Sequence, residues 1–509
     1  MKKIIALLLT VITVMMLLTS CGGSGSPDPE PTSKSRPVTT GKEENMLTTT
    51  MAGLPVTLDP DHFTLQVEDS IINQVYETLF KSRLDGNGLE YFLAEEVVLN
   101  EDGTVDVTLR DAKFHDGSQL TSEDVVYTFS RLELSALNSG IYGLVTFDVK
   151  DDRHFTMGFP FADQGGDFEN LIPYMENVRI MNKAWTEARV EDINGSVGYE
   201  ENGTGAYYLE KVTDGGDVYL KRFGDYWGTA SIDTVKFKYY TGEESIAFEA
   251  GDTDFTTYAP AKLGSVEGLD NVKIEEVVQT AVTFLVIGCN EALPTSDIRV
   301  RQAIAYALNR ADLADAASEG AAKPAYNIAP ATVKYYTEDV EKFERDLQKS
   351  KDLLTQAGYS ESNRVPIEII VRGDRTQWVS TCELVKANLE ESFFDVEITQ
   401  LDSTARYFQA DYEMGIISFA YTTDFKMYNI LFDMSSGLDL AGIVDDAMLA
   451  EFSAITDEAS AQKCMRDAIE TVAYYPLFYP TTYFAYDDRL DLGANFGQYV
   501  VLFSEMSWK

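Results

Sequence analysis

The pattern of apolar and polar positions changes character twice along the chain. Residues 4–18 form an apolar run broken only by Thr10 and Thr13, behind Lys2 and Lys3 and ahead of Leu18-Thr19-Ser20-Cys21. A spanning helix asks for about 20 apolar residues, so a shorter run with a basic start and small residues at its end predicts a signal peptide over 1–20. Residues 22–45 are rich in Gly, Ser, Pro and charge. They hold too little apolar surface to offset the entropy of ordering, and predict a flexible tether over 21–45. From residue 46 strand-like and helix-like periods alternate with no fixed repeat.

Val105, Val107 and Leu109 alternate with polar residues behind the Asp102-Gly103 turn, predicting a half-buried strand. Thr121 to Leu132 predicts a helix: Thr121 is a capping residue, Asp124 stands three later, and Val125, Phe129 and Leu132 mark one face. Tyr207–Leu209 and Val218–Leu220 flank Asp214-Gly215-Gly216 as a hairpin, and Val235, Phe237 and Tyr239 continue the strand period. Val300, Ile304, Leu308 and Ala311 recur at helical spacing and predict one helix from Asp297 to Ser318. Asp346 to Ala357 predicts another, stopped by Gly358. Val365 to Val371 reads as a buried strand and Cys382 to Leu389 as a helix. Mixed sheets with covering helices thus recur on both sides of residue 290, which predicts an α/β chain in two lobes.

Composition adds limits. The chain has 509 residues, too many for one core, and 45% of them are hydrophobic. The formal charge of −42 excludes nucleic-acid binding, which needs a basic surface. Besides Cys21 there are Cys289, Cys382 and Cys464, too widely spaced for a metal knuckle. Buried thiols or one disulfide plus one free thiol fit them. His62, His115 and His154 stand far apart and form no HExxH. There is no P-loop, no GxGxxG after a strand and no GxSxG elbow, so no enzyme, metal or cofactor is expected. With 83 Asp and Glu, a hydrolytic acid–base pair cannot be chosen from spacing.

Ordered blocks carry a resemblance. Leu58-Asp59-Pro60 is followed by Gln74-Val75-Tyr76-Glu77-Thr78-Leu79-Phe80 and by the long stretch from Leu109 to Val125, LRDAKFHDGSQLTSEDV. Gly203-Thr204-Gly205-Ala206-Tyr207, Phe223-Gly224-Asp225-Tyr226-Trp227-Gly228, Ile298 to Arg310 and Ser350 to Tyr359 come next. Together they resemble the family 5 extracellular solute-binding proteins, the oligopeptide, dipeptide and nickel group of ABC transport receptors. The Leu18–Cys21 end of the signal run likewise resembles a lipobox, which implies lipidation at Cys21.

The resemblance implies a periplasmic-binding-protein-like fold of the class II, Venus flytrap type with an extra subdomain. Lobe 1 spans 46–290 (smaller subdomain about 90–200), lobe 2 spans 291–482, and 483–509 returns to lobe 1. The chain crosses to lobe 2 at about 288–297 and returns at about 481–488. It further implies a lipid-anchored, extracytoplasmic, monomeric receptor that hands oligopeptides or dipeptides to ABC permease subunits. A nickel chelate or oligosaccharide receptor is the alternative, and a surface hydrolase the remote one. Peptide binders of the family often carry W-x-x-D-Y-x-D-P, whose first Asp grips the ligand ammonium. Here Phe419 falls at the Trp and Thr422 at that Asp, while Asp424 stands two residues on. Asp424, Thr422, Tyr421 and Phe419 are therefore candidate ligand contacts. Trp378 and Arg375, past the strand end at Gly373-Asp374, join them as a loop aromatic and cation suited to a pocket wall.

Overall fold

The structure is a computed structural model that describes residues 34–63, 66–83, 89–134, 142, 145–158, 175–193, 195–241, 244–279, 281–318, 322–373, 375–402, 405–420, 425–433, 439–443, 445–497 and 500–509. The signal-like run and Cys21 lie outside them. The flexible tether expected over 21–45 does not reach residue 45: the first described residues lie along one end of lobe 1 and are held by Arg36, whose buried charge finds partners there that the local Gly, Ser and Pro composition does not reveal. Its guanidinium donates to the carbonyls of Phe248 and Thr253, 3.1 Å each, pairs with Asp487 at 3.4 Å and sits 4.0 Å from the Phe248 ring centroid.

Strand β1 (Met46–Met51) and helix α1 (Gln66–Val75) follow. The chain then builds a small sheet from β2 (Ala94–Leu99), β3 (Val105–Leu109), β4 (Thr146–Val149) and β5 (His154–Gly158), in the order β2-β3-β5-β4. Helix α2 (Ser122–Leu134) buries Val125, Phe129 and Leu132 in the same core as Val105, Val107 and Leu109. Its start is half of the expected capping box: Thr121 N–H and hydroxyl both donate to Asp124 Oδ2, at 2.9 and 2.8 Å.

Strands β6 (Tyr207–Val212), β7 (Val218–Arg222), β8 (Thr234–Tyr239), β9 (Phe255–Tyr258) and β10 (Val272–Val278) return to the large first sheet. The second sheet collects β11 (Ala281–Ile287), β12 (Lys323–Pro324), β13 (Val365–Arg372), β14 (Phe394–Leu401), β15 (Met414–Ala420) and β16 (Tyr474–Tyr479). Finally β17 (Thr481–Asp487) re-enters the first sheet. The orders are β10-β17-β9-β1-β8-β7-β6 and β12-β16-β11-β15-β13-β14.

Two antiparallel strands therefore run through both sheets. β10 pairs with β17 from Val272↔Asp487 to Val278↔Thr481, and β11 pairs with β16 on the other side. The first pairing ends at Val278↔Thr481 and the second begins at Thr283↔Phe478. Gln279 N–H donates to the Pro480 carbonyl at 2.9 Å, and Gln279 Nε2 donates to Thr482 Oγ1 at 2.6 Å. This sets the first crossing upstream of the 288–297 stretch expected from the resemblance. The physical reason is the run AVTFLVI over 281–287, which is buried at every position and belongs to the core of the second sheet.

Helices α3 (Ile298–Ala307), α4 (Arg310–Ser318), α5 (Leu347–Gln356) and α6 (Thr376–Glu390) pack around lobe 2. The single helix expected over Asp297–Ser318 is two. The first ends at Leu308, whose backbone is extended, and at Asn309 the N–H donates to Asn388 Oδ1 at 2.8 Å while the side-chain amide donates to Asp312 Oδ2 at 2.5 Å. A short amide offered both bonds has no need of the helical pattern. The helix expected over Cys382–Leu389 starts earlier, at Thr376. Cys289, Cys382 and Cys464 are all free thiols.

Gly203 shows why its block has that composition. A methyl there would overlap the Val75 carbonyl oxygen, and Gly205 N–H donates to that same oxygen at 2.8 Å. Gly203→Ala is expected to cost about 3 kcal/mol by forcing this close approach apart, read as a lower urea midpoint; an unshifted midpoint would show the loop is free to move aside.

Candidate functional site

Strand direction defines the site. β1 is parallel to β8 and β9, and β9 is antiparallel to β17, with Tyr258 opposite Tyr483. The C-terminal ends of β1, β8 and β9 thus lie at the edge where β17 begins, beside the crossing. In lobe 2, β13 is parallel to β14 and β15, and Ala420 at the end of β15 lies opposite Ala281. Both sheets aim the carboxyl ends of their parallel strands at one crevice, where open α/β sheets take ligands.

On the lobe 2 side, Phe419 sits in the last turnless stretch of β15 opposite Val282, half-buried, its ring centroid 5.9 Å from that of Phe284. Trp378 is a residue of the first turn of α6, not of a loop, and is packed half-buried on the lobe 2 core. Arg375, just before α6 and exposed, places its guanidinium 5.8 Å from the Trp378 centroid. All three lie at the crevice edge of the sheet. Tyr421, Thr422 and Asp424 lie outside the described residues, as does Asp374.

On the lobe 1 side, the loop after β1 is held by charges that sequence patterning missed. Arg131 of α2 is 2% exposed and reaches Asp59 at 3.1 Å and Asp61 at 2.7 Å; it also donates to the Ile193 carbonyl at 2.8 Å. Asp59, wholly buried, accepts the Val197 N–H at 2.9 Å. Burial pushes the Asp61 carboxyl up to about 6 against the pull of Arg131. Breaking a buried pair of this kind leaves an uncompensated charge, so the loop is fixed firmly. Beyond it, Arg179 lies 5.2 Å from the Phe63 centroid, ion-paired with Asp69 and bonded to Asn73 Oδ1 at 3.0 Å. Lys81 is held down to about 8 by burial and by the neighbouring Arg179 charge, its ammonium donating to the Glu176 carbonyl at 3.2 Å.

Behind these, the recognisable blocks converge on Glu77. Its carboxylate accepts from Tyr226 Oη at 2.9 Å and from Trp227 Nε1 at 3.0 Å, while Arg110 stacks 3.8 Å from the Trp227 ring. His115 of the long block is nearby in the fold, with Nδ1 2.7 Å from Glu201 and Nε2 2.9 Å from the Gly205 carbonyl. A small recess of about 20 Å³ adjoins Glu77, Asn73, Lys81 and Tyr226. It lies at the start of β6, the end of that strand far from the crevice, so these blocks join the subdomains rather than line the crevice.

Among the described residues no three His, Cys, Asp or Glu side chains are grouped to hold a metal ion. His62 and His154 pair with Asp59 and Asp151, at 3.3 and 2.8 Å. No helix among them is long and apolar enough to cross a membrane.

Comparison with known proteins places this architecture. The family model described as "Bacterial extracellular solute-binding proteins, family 5 Middle" matches residues 88–437. Over 389 residues, 71% of this chain and 68% of the relative, the sequence is 28% identical to the oligopeptide-binding protein AppA of Bacillus subtilis (strain 168). The crystal structure of the ABC transporter substrate binding protein CtaP (Lmo0135) from Listeria monocytogenes superposes with a TM-score of 0.76 at 22% identity, covering 91% of this chain and 99% of that one. NikA from Brucella suis, in complex with Fe(III)-EDTA, gives 0.77 at 19% identity, covering 91% and 100%.

Glu77 makes a pH prediction. Burial raises its carboxyl from 4.5 to about 7, opposed by the hydrogen bonds from Trp227 and Tyr226. A carboxyl raised in the folded state favours folding fully below its unfolded value and loses that contribution as pH rises through the folded one. Stability should fall between pH 5 and 8 by up to about 3 kcal/mol from this group. Asp61, Asp254 and Asp439, each raised to about 6 by burial, act in the same direction. Glu77→Gln should flatten the profile in part, measured by thermal unfolding at each pH; a profile as steep as the parent's would remove Glu77 as a source.

Proposed function

The chain belongs to the bacterial extracellular solute-binding proteins of family 5, and on that membership we propose that it captures peptides and hands them to an ABC importer. The observation that carries the reading is the single crevice toward which both sheets present strand ends, beside the two-strand crossing that joins the lobes. Closure over a solute removes it from water, strengthens each polar contact and gives the permease a shape to distinguish. The oligopeptide-binding relative supports peptides as the solute class. An extended peptide pairing through its main chain would gain affinity without a sequence preference.

In this reading the ligand is gripped from lobe 2 by the segment after β15, with Asp424 receiving the peptide ammonium and Tyr421 and Thr422 beside it. Phe419, Trp378 and Arg375 line the same side. A buried ammonium needs a fixed carboxylate, which is the role Asp424 fills. Cys21 carries the lipid, the chain from there to the Arg36 clamp forms the leash, and the receptor works as a monomer on the outer face of the membrane. The likeness to NikA with Fe(III)-EDTA favours a second reading, a chelate receptor on the same fold.

Native mass spectrometry of gently purified protein should reveal a heterogeneous set of short co-purified peptides. A single sugar or metal chelate would sink the peptide reading. Asp424→Ala should weaken peptide binding at least tenfold with little change in melting temperature, followed by calorimetric titration. Unaltered affinity would remove Asp424 from the site.

A further inference from the structure

His115 is the most enclosed of the three histidines: its side chain is 7% exposed, against 35% for His62 and 52% for His154. Both of its ring nitrogens meet acceptors. Nε2 lies 2.9 Å from the Gly205 carbonyl oxygen, which can only accept, so Nε2 carries a hydrogen. Nδ1 lies 2.7 Å from Glu201 Oε2. That carboxylate is already committed as an acceptor, taking the Leu209 N–H on Oε1 at 2.9 Å and the Gly203 N–H on Oε2 at 3.2 Å. Nδ1 therefore donates as well. A neutral imidazole has one N–H and one lone pair, so either neutral tautomer would set a lone pair against one of these two oxygens.

The ring sits where two segments meet. The N–H groups of His115 and Asp116, in the turn after β3, donate to the Gly203 carbonyl at 2.9 Å and to Asn202 Oδ1 at 3.0 Å. Gly205 N–H donates in turn to the Val75 carbonyl of α1. Around the ring stand Glu201 from the loop before β6, Tyr208 of β6 at 6.0 Å between centroids, and Glu77 from the segment after α1, whose carboxyl feels the His115 charge. Phe223 closes the ring edge-on at 5.0 Å, and on its own turn Lys113 is paired with Asp225. We propose that His115 is a pH-sensitive latch, held as an imidazolium between Glu201 and Gly205, that fastens the small subdomain to the large sheet and slackens when Nδ1 gives up its proton to solvent.

The direction follows from the atoms. The charged ring makes both bonds and the neutral ring can make only one, so acid tightens the junction and alkali loosens it. The bond most affected is a charge-assisted one between enclosed groups, the kind whose loss weighs most.

The test uses the full chain without added solute, and reads the histidine rings by nitrogen-15 resonance. His62→Gln and His154→Gln identify the signals of the other two rings and leave those of His115. At about pH 7.5, roughly one unit above the value of a free imidazole, the His115 ring should carry hydrogens on both nitrogens; a neutral ring would overturn the proposal. In Glu201→Gln the new amide can donate to Nδ1, so the ring should turn neutral there, and a ring still doubly protonated would also overturn it. Glu77→Gln should leave both hydrogens in place, and loss of one would sink the part given to Glu201. As the parent ring is titrated to neutrality, exchange protection of the His115 and Asp116 N–H groups, corrected for intrinsic rate, should fall about tenfold. Unchanged protection would mean that the ring titrates without holding the junction, and the latch would be refuted.

Discussion

The two-strand ribbon is the constraint on which the molecule depends. In each sheet the ribbon's backbone groups must find partners, because unpaired N–H and C=O groups in a buried strand are costly. β10 and β17 satisfy one another in lobe 1 as far as Val278↔Thr481, and β11 and β16 in lobe 2 from Thr283↔Phe478. Proline suits the stretch between, since it has no N–H to leave unpaired, while its carbonyl accepts from Gln279. On either side the ribbon is committed to a separate core. The same arrangement forces the parallel strands of both sheets to end at the crevice, and the loops that follow them inherit the task of meeting a solute.

The blocks that make the family recognisable serve a different end. Glu77, Tyr226, Trp227, His115 and Glu201 come from four separate blocks or their neighbours and meet at the junction between the small sheet and the large one. Gly203 and Gly205 let the backbone approach α1 there. Arg301, from the block that opens lobe 2, is buried and donates to the carbonyls of Thr295, Ser296 and Thr471. A polar junction of this kind is demanding in geometry and tolerates few alternatives. The crevice makes no such common demand, which is why fold and family are written more plainly in this chain than its solute.

That division also explains what could be read from the sequence. β3, α2, the β6–β7 hairpin, β8, α5 and β13 follow local apolar periods and fall where those periods put them. The family's two-lobed fold was equally legible, from ordered blocks. The break at Asn309 was not, because it depends on Asn388, 79 residues away. Nor were the roles of Arg131 and Arg179, whose carboxylate partners lie 72 and 110 residues off in sequence. An arginine on a helix looks solvated until the chain returns a carboxylate to it. Phe419 follows from likeness to a family segment, and Trp378 and Arg375 from a strand end; Phe419 and Trp378 are partly committed to packing.

The clamp at Arg36 has a mechanical consequence. Its partners Phe248, Thr253 and Asp487 cluster at the pole of lobe 1 where β17 ends, one strand length from the crossing. Any tension arriving through the preceding segment is delivered there and spreads into β9, β10 and β17. Paired strands loaded along their length share force over many hydrogen bonds at once instead of surrendering them one by one. The crossing lies at the far end of β10 and β17, so a pull on the chain ahead of Arg36 is taken up within lobe 1 before it reaches the crossing.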